Sequence, residues 1–119
     1  MLSKIRNEFG VIGIDNEVIA RLAGIAAMEV AGVVGMAAKN MRDGIVQMLK
    51  LESLSKGVRL DVRGEHGLVI NLHIIIEYGT NISAISDTLM SNVKYKIEQN
   101  VGIKVHKVNI FIEGIRINR

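Results

Sequence analysis

The sequence predicts an α/β (α+β) fold: a two-layer sandwich with helices mainly on one face of a mixed sheet of about four strands. Two patterns carry this expectation. Leu68, Ile70, Leu72, Ile74 and Ile76 recur at period two, as on a strand with one buried face. Ile82, Ile85, Leu89, Val93 and Ile97 recur at spacings of three and four, as on the buried stripe of a helix. Composition adds a third observation. The chain has 119 residues, 49% of them hydrophobic, which suits one domain over 1–119 with a substantial core.

The expected order is β-α-(turn)-α-β-β-α-β. Phe9 to Ile14 is a short β-prone run. Asp15 then offers a side-chain oxygen to the free N–H groups of a helix from Asn16 to about Val30. In that helix Val18, Leu22, Ile25 and Glu29 share one spacing, with Ile19 and Ala26 beside them. Ala20, Gly24, Ala27 and Ala31 make a small-residue stripe that permits close backbone approach. Gly32 stands where a helix-ending glycine belongs. Gly32–Met36 reads as a turn or short strand. A weaker helix is expected over about Asp43–Leu51, with Ile45, Met48 and Leu49 inward, and Ser53–Gly57 reads as a linker.

Val58–Arg63 alternates cleanly, and Gly64-Glu65-His66-Gly67 is a tight connection to the strand Leu68–Tyr78. The two runs form an antiparallel hairpin. Thr80 or Asn81 caps the helix that Gly102 ends. The last strand spans about Lys104–Glu113. Val108, Ile110 and Ile112 keep one phase while Val105 is out of it, which predicts a bulge near His106. A β-α-β crossover makes the two strands around the long helix parallel if they share a sheet.

Composition also excludes function classes. With no cysteine there is no disulfide scaffold, thiol catalysis, iron–sulfur cluster or cysteine-zinc site. Two Tyr, two Phe and no Trp provide poorly for stacking on bases. Net charge is +3, and its distribution is uneven. Residues 91–119 carry six basic against two acidic side chains, net +4. The bland reading is a solvated helix face and tail; the sharper one is attraction to an anionic partner. The N-terminal segment lacks the apolar region of a secretory leader. The apolar stretch Leu22–Ala38 is too short to span a bilayer and is broken by Glu29, Gly24, Gly32 and Gly35. A cytoplasmic protein is expected.

Chemistry-bearing arrangements are sparse. His73 and His106 fall on strands and approach one another only if those strands are neighbours. Two histidines without a placed carboxylate make a weak metal site. No serine lies in a strand–turn–helix elbow, and Ser83 and Ser86 read as first-turn helix residues. Glu29 is the one acid in an apolar run and reads as a helix residue reaching solvent. Gly32-Val33-Val34-Gly35 has the spacing of a nucleic-acid-clamping loop, but its two valines are the wrong chemistry for phosphate. No catalytic residue, cofactor or metal site is expected.

The order and spacing of several segments carry a resemblance. They include Gly10…Ile12-Gly13-Ile14, Ala23-Gly24-Ile25-Ala26-Ala27, Val30-Ala31-Gly32-Val33-Val34-Gly35-Met36 and Gly57-Val58. They continue with Ile74-Ile75-Ile76-Glu77-Tyr78-Gly79, Val101-Gly102-Ile103 and Val108-Asn109-Ile110…Ile112-Glu113-Gly114-Ile115. Over about residues 8–117 the chain resembles the alkaline shock protein 23 family of bacterial envelope-stress-response proteins, in its compact Gram-positive branch. The resemblance implies a non-enzymatic cytoplasmic protein linked to envelope homeostasis, with a protein partner that in some members is membrane-anchored. It implies no catalytic residue.

Three functions are weighed. The first is an interaction or scaffold protein, self-associating or docking to an envelope partner. The second is a small nucleic-acid-binding regulator using the basic C-terminal third. The third is a ligand or metal module using His73 and His106. For the first, Val69 and Ile75 on one strand and Phe111 on the last strand share the phase opposite to the core, and are expected to form an outward apolar patch.

Overall fold

The computed structural model describes residues 2–7, 10–39 and 46–117. Strands β1 (Leu2–Asn7) and β2 (Gly10–Asp15) form an antiparallel two-stranded ribbon. Helix α1 (Asn16–Met28) follows at once, and the Asp15 carboxylate accepts a hydrogen bond from the Glu17 backbone N–H at 2.9 Å. The expected cap is therefore present. β1 had no counterpart in the sequence reading.

The larger sheet holds β3 (Val33–Lys39), β4 (Val46–Met48), β5 (Val58–Val62), β6 (Leu68–Glu77) and β7 (Val105–Arg116). β6 is its centre. Along one side it pairs in parallel with β7 from Leu68 to Glu77. Along the other it pairs with β5 from Leu68 to Leu72, then with β3 from Ile74 to Ile76, both antiparallel. β3 and β5 thus share one edge of β6, and β4 pairs with β3 outside them.

The mixed sheet, the 58–77 hairpin and the parallel crossover through α2 (Ile82–Val101) agree with the sequence reading. The second helix does not. Val46–Met48 is a strand, Leu51–Gly57 is a 3₁₀ segment, and Asp43–Ile45 lie outside the described residues. The supposed linker is part of the core, since Leu54 is buried. A short apolar run with Ile45, Met48 and Leu49 fits strand and helix equally, and length alone does not separate them.

The core phase of β6 is as expected: Leu68, Ile70, Leu72, Ile74 and Ile76 are buried in one cluster with Ile85, Leu89, Val93 and Ile97 of α2. α1 turns differently from its apolar spacing. Its buried face is Ile19, Ala20, Ala23, Gly24, Ala26 and Ala27, whereas Val18 and Ile25 are 50% and 45% exposed. Close approach decides this. A Cβ on Gly24 would sit 3.1 Å from Leu54 Cβ, so the small-residue stripe lets the 3₁₀ segment pack against the helix backbone. The larger side chains are left on the outside.

Polar contacts tie the two helices together. Asn92 donates to the Ala26 carbonyl at 2.8 Å, which also accepts from the Glu29 N–H at 3.3 Å in the last turn of α1. Glu29 is exposed, as expected, and lies 3.8 Å from Lys96. At the start of α2, Asn81 accepts from the Ala84 N–H at 3.0 Å. Asn81→Ala is expected to cost about 1 kcal/mol, as loss of a helix N-cap does. Urea unfolding checks this through the midpoint; an unchanged midpoint would mean the cap is dispensable.

Candidate interaction surface

Alternation on β6 sends Val69, Asn71, His73, Ile75 and Glu77 to the face away from the helices. The parallel register sets them beside Lys107, Asn109, Phe111, Gly114 and Arg116 of β7. Two irregularities fix that register. One residue is skipped between Val105 and Lys107, so the predicted bulge falls on His106. A second falls on Glu113, which aims its carboxylate at the same outer face.

On this face Phe111 lies on His73, with ring centroids 4.9 Å apart and planes 13° from parallel. The Glu113 carboxylate is 2.7 Å from His73 Nδ1, and Asn109 donates to the Asn71 side chain at 2.9 Å. The three expected patch residues do not form one exposed apolar surface. Phe111 is 45% exposed, but Val69 and Ile75 are only 6% and 3% exposed. Val69 lines a shallow hollow with Arg63, His66, His106, Lys107 and Asn109. Ile75 is flanked by Gly35 and Gly114, and Met48 lies over Gly35. Neighbours from the turns and from β4 thus cover what strand phase alone left open. Phe111 stands among polar side chains.

His73 sits where β5 gives way to β3 along the edge of β6. A concavity of about 420 Å³ opens there, with Lys56 and Arg59 joining Asn71, His73, Phe111 and Glu113. Its chemistry is limited. A histidine oriented by a carboxylate acts as a base on a nucleophile within hydrogen-bond reach. The described lining holds no Ser, Thr or Cys. A histidine–carboxylate pair of this kind holds strands in place and can accept a polar partner.

The other candidates disperse. His73 and His106 are not brought together; the ring of His106 lies 5.7 Å from that of His66 instead. Among the described residues no group of three or more His, Cys, Asp or Glu side chains could hold a metal ion. Gly32 has φ +98°, and a Cβ there would meet Ile85 and Thr80, while Val33–Gly35 belong to β3. The GxxG string is therefore a packed strand entry and not a loop between helices. Among the described residues no helix is long and apolar enough to cross a membrane.

These features define a small mixed α/β domain with helices on one side of its sheet and a largely polar opposite face. The chain belongs to the alkaline shock protein 23 family, described by its cell envelope-related function, whose model matches residues 4–117. It is 42% identical over 118 residues to the uncharacterized protein YloU of Bacillus subtilis (strain 168), covering 98% of each chain. It is 31% identical to the uncharacterized protein Spy1614 of Streptococcus pyogenes serotype M6, covering 98% of this chain and 97% of that one. A stress response regulator gls24 homolog of Streptococcus pyogenes serotype M3 is 27% identical over 110 residues, 59% of its length. No solved structure matches. The family is one of non-enzymatic bacterial stress proteins, so this chain is not an enzyme.

Proposed function

We propose that the chain is a cytoplasmic interaction or scaffold protein of the envelope-stress response, and that it meets a protein partner through the outer sheet face around Phe111. The observation that supports this reading is a large aromatic side chain, 45% exposed, on the sheet face opposite the one that the helices of the described residues pack against. Aromatic anchors with polar surroundings are typical of protein contact sites. The family's cell envelope-related description supplies the setting. The partner is taken to be a membrane-anchored protein, which brings this chain to the envelope.

The test is co-purification from detergent-solubilised cells with the tagged chain. Wild type is expected to recover a membrane-fraction protein that Phe111→Glu loses. The variant should stay folded with a thermal midpoint lower by several degrees, since loss of the stacking on His73 costs about 0.5–1.5 kcal/mol. Equal recovery of the same proteins by a folded Phe111→Glu would overturn the reading.

A further inference from the structure

β7 is a long strand with one edge in use. Among the described residues its twelve residues pair only with β6, so the opposite row of N–H and C=O groups has no strand partner. Such an edge is a template for another strand, which proteins commonly blunt with proline, short length or bulges. β7 has no proline. Its two bulges fall at His106 and Glu113, leaving a regular run from Lys107 to Ile112 between them.

A groove of about 500 Å³ lies along this run, between β7 and α2. On the α2 side Ser86, Met90 and Lys94 line it, one residue per helical turn. On the strand side Ile110 and Phe111 line it. Met90 and Phe111 are 42% and 45% exposed, so the groove offers apolar seats beside a free edge.

Charge says what fits there. Lys94 and Lys107 line the groove and are exposed, and Lys104, just before β7, and Arg116, its last residue, are exposed as well. The acids of the same stretch are engaged: Glu98 accepts from the Val105 backbone N–H at 2.9 Å, and Glu113 contacts His73 at 2.7 Å. A second copy of β7 would bring the same cationic surface against itself. Like charges at a strand pair oppose association, whereas opposite charges steer and orient it.

We infer that β7 accepts an extended acidic segment of a partner protein as an additional strand. The segment's backbone bonds the free edge between Lys107 and Ile112. Its apolar side chains seat on Met90 and Phe111, and its carboxylates meet Lys94 and Lys107. Strand addition of this kind draws affinity from the backbone and selectivity from alternate side chains. The inference rests on the interaction reading above and gives that surface a partner chemistry.

The test uses the full chain with a synthetic peptide repeating valine-valine-glutamate-glutamate, which gives each face of the added strand both residue types, the matching valine–lysine peptide as control, and a single-stranded oligonucleotide as a non-peptide polyanion. Binding is read by fluorescence anisotropy, and the seat by amide hydrogen exchange of the 107–112 segment. Expected are saturable binding of the acidic peptide and slowed exchange in that segment. The Lys94→Glu/Lys107→Glu variant, with both changes at exposed positions, should bind about tenfold more weakly or worse. No binding, or binding without slowed exchange at 107–112, overturns the inference. So does equal protection by the oligonucleotide or the valine–lysine peptide. Protection that appears without peptide and rises with protein concentration overturns it in favour of a second copy. If β7 shows no protection while membrane-protein recovery still depends on Phe111, the inference fails and the interaction reading stands.

Discussion

Leu89→Ala is expected to destabilise the fold by about 2–5 kcal/mol, the range for truncating a fully buried leucine. Leu89 has no solvent exposure and lies at the middle of the α2 stripe, between Ile85 and Val93. It belongs to the cluster that also holds Leu68, Ile70, Leu72, Ile74 and Ile76 of β6, so the helix and the sheet share one core. Deleting its isobutyl group removes apolar burial and leaves a cavity that neither layer can close without moving the other. Asp87 is exposed on the same helix, and Asp87→Ala should cost about 0.5 kcal/mol or less. Urea unfolding distinguishes them: the midpoint of Leu89→Ala should fall steeply at an unchanged slope. Equal losses at positions 87 and 89 would show that α2 does not pack in this phase.

Leu89 also shows which parts of the fold were legible in sequence. Long elements with one uninterrupted stripe, α2 and β6, declare both their type and their buried face. The bulge at His106 was legible for the same reason, because a single phase slip at Val105 stands out against Val108, Ile110 and Ile112. Short elements do not announce themselves. Val46–Met48 has three residues, too few for either period to repeat. α1 offered two stripes, and only the small-residue one was informative. Ala20, Gly24 and Ala27 face the core as close backbone approach requires, while Val18 and Ile25 of the apolar spacing are left outside.

The partner surface was legible only in part. Strand phase correctly placed Val69, Ile75 and Phe111 on the outer face. It could not report what arrives from elsewhere in the chain. Burial of Val69 beside the 63–66 turn, and of Ile75 near Met48, depends on elements far away in sequence. The His73–Glu113 contact needed the second bulge, for which the alternation around Glu113 gave no signal. The free edge of β7 follows from strand order, which no local pattern encodes.

Gly67→Ala is the second substitution expected to have a large effect, roughly 2–6 kcal/mol, although it adds only a methyl group. Gly67 links β5 to β6 with φ +104° and ψ −155°, a conformation essentially reserved for glycine. Forcing a Cβ into it costs about 1–3 kcal/mol in backbone strain. Space is the second problem. That Cβ would lie 2.5 Å from the Lys104 carbonyl oxygen, which is backbone and cannot swing aside like a side chain. The same oxygen accepts a hydrogen bond from the Leu68 N–H at 2.9 Å, beside the first pair of the β6–β7 register. Displacing it leaves the N–H of a buried residue without its acceptor, a further loss of about 1–3 kcal/mol. Gly64, in the same turn, is the internal control. It has φ +57° and nothing within 4 Å of a Cβ placed there, so Gly64→Ala meets only the left-handed penalty of about 1–2 kcal/mol. The two variants share composition, turn and reference state, so their difference reports the contact with Lys104 together with the extra backbone strain at Gly67. Urea midpoints should rank wild type above Gly64→Ala and Gly64→Ala well above Gly67→Ala. Amide exchange of Leu68 should quicken in Gly67→Ala alone. Equal midpoints for the two variants, with Leu68 still protected, would show that the β6–β7 junction yields to the methyl group.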